Sequence, residues 1–249
     1  IRILKSALKS DAPALKSDAE TTISASPASN VAASAVEQRF TSLFEKNHWE
    51  NAESVSGGGS TKAATHELVI QLLGLISELG IETIADAPCG DFNWIQPVAV
   101  RTRYRGFDIV PGVLDIARTR ADYPFKKLDI VSQVLPQSDL ILNRDCLVHL
   151  TDDMAIQAIF KFIDSRSSWL LSTTFPDLET NATGAVGGWR PINLQKPPFN
   201  LPRPDRLIIE RPSVVPTAAY GRKALGLWNL AKLKKALSSR HETSESAPS

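Results

Sequence analysis

The sequence predicts an α/β fold on a doubly wound, mostly parallel seven-stranded sheet with an antiparallel C-terminal strand. Three observations predict it. Strand-like and helix-like segments alternate from residue 82 to residue 173, the rhythm of parallel βαβ units. Four of those strands end in acidic or polar tips, where an open parallel sheet places its ligands. Two further apolar segments, near 206–211 and 224–229, follow a proline-rich interruption and suit an antiparallel closing pair.

The strand segments before that interruption are 82–87, 104–108, 125–129, 138–143 and 168–173. Helices are expected at 92–99, 112–121 and 152–165 between them. Upstream, Val36, Phe40, Leu43 and Phe44 recur at helical spacing over 35–48. A second helix is expected over 65–79, where Leu68, Leu72, Leu75, Ile76 and Leu79 share one side and Gly80 suits the C-terminal cap. Between these two helices lies a glycine loop, Glu53-Ser-Val-Ser-Gly-Gly-Gly-Ser-Thr61. Residues 176–205 hold six prolines and three glycines, which predicts a long ordered loop.

The termini read differently. Ala7-Leu-Lys-Ser-Asp-Ala12 recurs as Ala14-Leu-Lys-Ser-Asp-Ala19, but the repeat carries too few large apolar residues to pack. Residues 1–34 are expected to be a disordered low-complexity segment and 237–249 a disordered tail, with one domain over 35–236. Ser, Ala and Lys in the first segment resemble a transit peptide, against which stand Asp11, Asp18 and Glu20.

Composition narrows the function. At 43% hydrophobic and 22% charged residues, most of the chain can bury a core. The net charge of +1 gives no support to a nucleic-acid partner, which usually demands a basic excess. No apolar run is long enough to span a bilayer, so no membrane partner is expected. The two cysteines, Cys89 and Cys146, are too few for a disulfide scaffold and suit a reducing, cytoplasmic setting. His48, His66, His149 and His241 are scattered without ligand spacing, so no metal is expected.

The chemistry concentrates at the strand tips. Asp86-Ala-Pro-Cys-Gly-Asp91 is a strand end, a tight turn and a helix start. Gly90 lets a ligand approach the backbone, and the following helix start offers free N–H groups to an anion. Twenty-two residues on, Asp108 ends the second strand, where a carboxylate can accept both hydrogen bonds of a ribose diol. Asp129 ends the third strand and can accept from an exocyclic amine such as that of adenine. The fourth strand runs into Asn143-Arg-Asp-Cys146.

Taken in order, Ala85-Asp-Ala-Pro-Cys-Gly-Asp91, Gly106-Phe-Asp-Ile-Val110, Leu128-Asp-Ile130 and Asp139-Leu-Ile-Leu-Asn-Arg-Asp-Cys-Leu-Val-His-Leu150 resemble the motifs of class I S-adenosylmethionine-dependent methyltransferases. The likeness is greatest to an uncharacterised bacterial-type subgroup with this cysteine-bearing glycine loop and this Arg-Asp-Cys tip. The resemblance implies a Rossmann-like methyltransferase fold, S-adenosylmethionine as cofactor and a small-molecule acceptor. It implies that Asp86, Ala87, Pro88, Cys89, Gly90, Asp91 and Trp94 lie along the methionine part of the cofactor. Asp108 and Ile109 would hold the ribose, and Asp129 with Ile130 the adenine. Asn143 and Arg144 would lie near the sulfonium, with Asp145 and His149 as candidate catalytic bases. Trp189, Arg190, Asn193 and Phe199 are the candidates for the acceptor pocket.

Each motif has a plainer reading. Asp108 can pair with Arg105 or Arg118, and His149 can cap or pack the next helix. Cys89 and Cys146 can be small buried hydrophobes. The glycine loop at 56–60 lacks the Gly-Lys-Ser/Thr ending that binds nucleoside triphosphates, and reads either as a linker or as a lid. Lys196-Pro-Pro-Phe199 sits after the fifth strand and reads as a rigid loop, and the Asn181-Ala-Thr183 sequon as chance. Two other functions stand beside methyl transfer: a non-catalytic relative acting through protein contacts, and an NAD-dependent oxidoreductase. The single glycine of the turn argues against the latter, whose pyrophosphate needs a fuller glycine pattern.

Overall fold

In the computed structural model of the 249-residue chain, residues 27–210 and 221–245 are described, with side chains over 35–210 and 221–239. The repeat at residues 7–19 and the last four residues lie outside them.

Seven strands form one sheet: β1 (Thr83–Asp86), β2 (Arg103–Asp108), β3 (Phe125–Lys127), β4 (Leu140–Asn143), β5 (Trp169–Thr174), β6 (Arg206–Ile209) and β7 (Ala224–Asn229). Their spatial order is β3-β2-β1-β4-β5-β7-β6. The first five are parallel, and β7 runs antiparallel to both β5 and β6. The chain therefore winds outward twice from the middle, and the order reverses between β1 and β4. This is the expected mixed, doubly wound sheet.

Both faces of the sheet are covered. Ala85, Phe107, Ile141 and Leu170 face one core with Ala155, Ala158, Ile159 and Phe162 of α5 (Asp152–Asp164). Ile84, Tyr104, Leu140, Leu142 and Leu171 face the other, with Leu68, Leu72 and Leu75 of α2 (Lys62–Leu79). Successive strand residues point to opposite faces, so strands buried on both sides read as continuous apolar runs.

Helix boundaries follow their caps. The Thr61 side chain accepts from Ala64 N at 3.2 Å to start α2, and Gly80 ends it with φ 62°. Thr151 caps α5 in the same way, with Asp152 and Asp153 in its first turn. The helix expected at 92–99 shrinks to α3 (Gln96–Ala99). Phe92 sits at φ 57°, outside the right-handed helical region, and its ring packs edge-on to Tyr104 and Phe125. The helix α4 (Pro111–Arg120) matches its expectation closely, whereas β3 stops at Lys127, two residues short of Asp129.

The flanking helices differ from the sequence reading, which places the first at 35–48 and none after the last strand. The first, α1, covers Pro27–Glu45 and so begins before residue 35. The last, α6, covers Leu230–Glu245 and continues past residue 236. Segment 176–205 holds no strand or helix, as expected, yet Ile192, Leu194, Phe199 and Leu201 are buried. No helix among the described residues is long and apolar enough to cross a membrane.

Candidate functional site

A crevice of about 970 Å3, counting its open mouth, lies outside the carboxyl ends of β1, β2 and β4, where the strand order reverses. Asp86, Pro88, Cys89, Gly90, Asp91, Trp94, Asp108 and Ile109 line it from the first two strand tips, and Arg144, Asp145, Cys146 and His149 from the fourth. A smaller apolar extension, sharing Pro88, Asp108, Ile109 and Cys146, is lined by Asp129 and Ile130.

The carboxylates differ in their surroundings. Asp86 is 3% exposed and accepts the Tyr104 hydroxyl at 2.6 Å. Burial pushes its pKa up to about 7; the Tyr104 hydrogen bond and Arg144 oppose this, and Asp108 adds to it. Asp108 is pushed up to about 6 by burial, although Val110 N and Gly90 N donate to it at 3.0 and 3.2 Å. It therefore sits on backbone donors and pairs with neither Arg105, which reaches Gln137 O, nor Arg118, which reaches Asp115. Asp129 closes its own turn, accepting from Val131 N at 2.9 Å and Ser132 Oγ at 2.7 Å.

Asp91 does something the sequence did not suggest. It accepts Ser54 Oγ at 2.9 Å and Val55 N at 3.1 Å, and pairs with Arg120 at 3.1 Å. Asn93 Nδ2 donates to Glu53 Oε1 at 2.7 Å and to Ser60 O at 3.0 Å. The glycine loop is thereby fastened over the β1 turn, with Val55, Ser56 and Ser60 in the crevice wall. A Cβ on Gly90 would meet Ser56 Oγ at 2.4 Å, so only glycine lets the two segments meet.

The fourth strand tip is a charge cluster. Arg144 pairs with Glu210 at 2.7 Å and Asp145 at 3.4 Å, donates to Gly59 O at 3.0 Å, and lies 5.2 Å from the centre of the Trp94 ring. Lys223 reaches Asp145 at 2.5 Å and Glu210 at 3.4 Å. Burial raises the Asp145 pKa, but Lys223 and Arg144 outweigh it and hold the carboxyl well below the usual carboxylate range. An acid held that firmly ionised is a weak base.

His149 lines the same crevice. Its Nδ1 is 2.6 Å from Gly188 O, and its ring meets Phe40 and Trp49 edge to face. Burial lowers its pKa, opposed by Gly188 and Asp145. The thiols of Cys89 and Cys146 are pushed up by burial, Cys146 to about 12, so neither is an activated nucleophile.

Several predicted residues stand elsewhere. Asn143 is fully buried, donating to Ala87 O at 2.6 Å and accepting Ser172 Oγ at 3.0 Å; it braces β1 against β4 and β5, and neither it nor Ala87 lines the crevice. Arg190 binds Asp152 and Leu150 O. Asn193 ties Pro176 O and Leu178 O together. Phe199 packs against Ile156, Phe160 and Leu237 in a separate small cleft. Trp189 packs on Phe175 and is 46% exposed. None of these four lines the crevice. Its remaining wall comes instead from Phe40, Phe44, Trp49, Val110 and Val113, and Lys223 and Glu210 complete the charge cluster. Helical spacing marked Phe40 and Phe44 as apolar positions, but no local pattern marks Trp49, Lys223 or Glu210. Among the described residues no group of three or more His, Cys, Asp or Glu is placed to hold a metal.

No family model matches the chain, and no curated protein sequence matches it. Solved structures do. The magnesium protoporphyrin IX methyltransferase of Synechocystis PCC 6803, determined with bound S-adenosylhomocysteine, is 10% identical with a TM-score of 0.52, covering 80% of this chain and 98% of its own. The same enzyme with bound S-adenosylmethionine is 12% identical with a TM-score of 0.51, covering 83% and 98%. At such identity the likeness is one of fold, that of Rossmann-like methyltransferases.

Proposed function

We propose that this chain is an S-adenosylmethionine-dependent methyltransferase acting on a small-molecule acceptor. One observation carries the reading: carboxylates from two neighbouring strand tips, Asp86 and Asp108, face one crevice at the point where the strand order reverses. The donor set suits this cofactor. A buried carboxylate such as Asp86 favours the cationic methionine end, Asp108 retains acceptor capacity for a ribose diol, and the apolar extension beside Asp129 and Ile130 suits a flat base. The glycine loop fastened to Asp91 supports a lid over the methionine end rather than a linker.

When bound, the cofactor supplies an already activated methyl group. The protein has then to bind it, exclude water and align the acceptor; such positioning is worth up to ~7–11 kcal/mol in favourable cases. Of the two candidate bases, the ion pairs on Asp145 favour His149. We place the domain over residues 35–236 and the protein in the cytoplasm, the two free thiols suiting a reducing compartment. The subgroup reading rests on the Asp86 to Trp94 loop and the Arg144 to Leu150 tip.

Calorimetric titration tests the reading. S-adenosylmethionine and S-adenosylhomocysteine are expected to bind, and Asp108→Ala to weaken both. Binding of NAD in their place points to an oxidoreductase. Failure of S-adenosylmethionine to bind at millimolar concentration overturns the proposal.

A further inference from the structure

The turn at 147–150 and the segment 184–190 are stitched together. Gly187 N donates to His149 O at 2.9 Å and Arg190 N to Val148 O at 3.2 Å. Arg190 Nη2 donates to Leu150 O at 3.2 Å. The segment lies so close that a Cβ on Gly184 would fall 2.4 Å from Leu150 O.

This stitching decides the state of the imidazole. His149 Nδ1 faces the Gly188 carbonyl at 2.6 Å. A carbonyl only accepts, so Nδ1 carries the hydrogen and, in the neutral ring, Nε2 keeps its lone pair. Among the described residues no hydrogen bond reaches Nε2. Burial keeps the ring neutral, with Lys223 and His48 acting in the same direction and Asp145 and the Gly188 carbonyl against it. The ring borders the crevice beside Phe40 and Trp49.

Resting on the methyl-transfer reading above, we propose that the acceptor is a phenolic hydroxyl, methylated on oxygen, and that His149 Nε2 takes its proton. A carboxylate needs no base. A neutral amine attacks through its own lone pair and sheds its proton afterwards. An aliphatic alcohol, a far weaker acid, gives a neutral imidazole less driving force for proton transfer than a phenol, with its pKa of about 10. The aromatic wall of Phe40, Phe44 and Trp49 suits a planar ring. In the step, the phenolic oxygen forms its bond to the methyl carbon, and the pair of the breaking carbon–sulfur bond stays on sulfur. The phenolic proton moves to Nε2, leaving an imidazolium that the charge of Asp145 favours and that later returns the proton to water.

Three measurements test this. In protein labelled with 15N-histidine, the His149 resonances at pH 7 are expected to report a neutral ring protonated on Nδ1; protonation on Nε2 overturns the proposal. With radiolabelled S-adenosylmethionine, transfer is expected to phenol, catechol or 2-naphthol, and not to aniline, benzyl alcohol or benzoate. Cofactor binding without transfer to any phenol, or faster transfer to aniline, overturns it. His149→Gln and His149→Asn are expected to lower the rate by about 10²–10⁴-fold with cofactor affinity unchanged, and wild-type rates in both overturn it. The asparagine variant keeps an amide donor for Gly188, and the tautomer measurement needs no variant. Absence of cofactor binding removes the methyl-transfer reading and this proposal with it, while binding without phenol transfer removes this proposal alone.

Discussion

The Tyr104 hydroxyl donates to Asp86 Oδ2 at 2.6 Å, with both side chains almost wholly shielded from water. Asp86 nevertheless lines the crevice, and burial pushes its pKa up to about 7. Its charge is therefore costly without a ligand and favourable beside a cation.

This predicts a pH dependence of cofactor binding. A cationic sulfonium ligand prefers ionised Asp86, so binding below pH 7 releases its proton. Affinity for S-adenosylmethionine is expected to rise with pH, Asp86 contributing about tenfold per unit at most, and to flatten above about 7. Calorimetry in buffers of different ionisation enthalpy measures the released proton. A flat profile from pH 5 to 8 contradicts the assignment.

The same group predicts a stability effect of opposite sense. A carboxyl whose folded pKa is raised contributes stability below its unfolded value of about 3.9, and loses it as pH rises through the folded value. Asp86→Asn keeps an acceptor for Tyr104 and carries no charge. It is expected to stabilise the unliganded protein at pH 8 by on the order of 1–3 kcal/mol while weakening cofactor binding. Thermal unfolding with and without ligand separates the two effects.

Asp91 predicts how the glycine loop is held. Asp91→Ala leaves Arg120 without its ion-pair partner, with only the Glu53 carbonyl to donate to, and Ser54 Oγ without its acceptor. A loss of about 2–4 kcal/mol is expected, since a charge pair and hydrogen bonds are broken from one side. Hydrogen exchange over residues 53–61 is expected to quicken, and Ser54→Ala to reproduce the quickening with a smaller loss of stability.

Gly90→Ala tests the contact beneath that loop. Gly90 has φ 56°, and the new Cβ would meet Ser56 Oγ at 2.4 Å. The left-handed conformation alone costs an alanine about 1–2 kcal/mol, and the clash pushes the loop outward. Cofactor affinity is expected to fall further than stability does, as titration and melting of the same samples would reveal.

Phe199 provides a contrast. It was expected in the acceptor pocket, yet it packs beside Ile156 and Leu237. Phe199→Ala is expected to cost about 3–5 kcal/mol of stability and to leave cofactor affinity unchanged. Altered affinity in a folded variant would place this residue back at the site.

Local chemistry made much of the sheet legible. Ile84, Leu140 and Leu142 sit in runs whose apolar character follows from burial on both faces, and Thr61, Gly80 and Thr151 mark helix ends through their own hydrogen bonds. The tips at Asp86, Gly90 and Asp108 were legible because strand ends of a parallel sheet converge at the reversal of strand order. The helix at 92–99 was not, because Phe92 adopts a left-handed conformation while Asp91 and Asn93 hold residues some thirty to forty positions earlier in the chain.

By itself the sequence determined the alternation of strands and helices, the doubly wound sheet and the acidic tips that face its crevice. These depend on periodicity, capping and spacing, which are properties of neighbours in the chain. Only the tertiary structure decided which polar groups serve the crevice and which brace the fold. It put Asn143 between strands and Arg190 beneath a turn, and it brought Lys223 and Glu210 to the fourth tip. The physical reason is that a buried polar side chain must find partners, and the protein takes them from whatever distant backbone and charge the packing brings within reach.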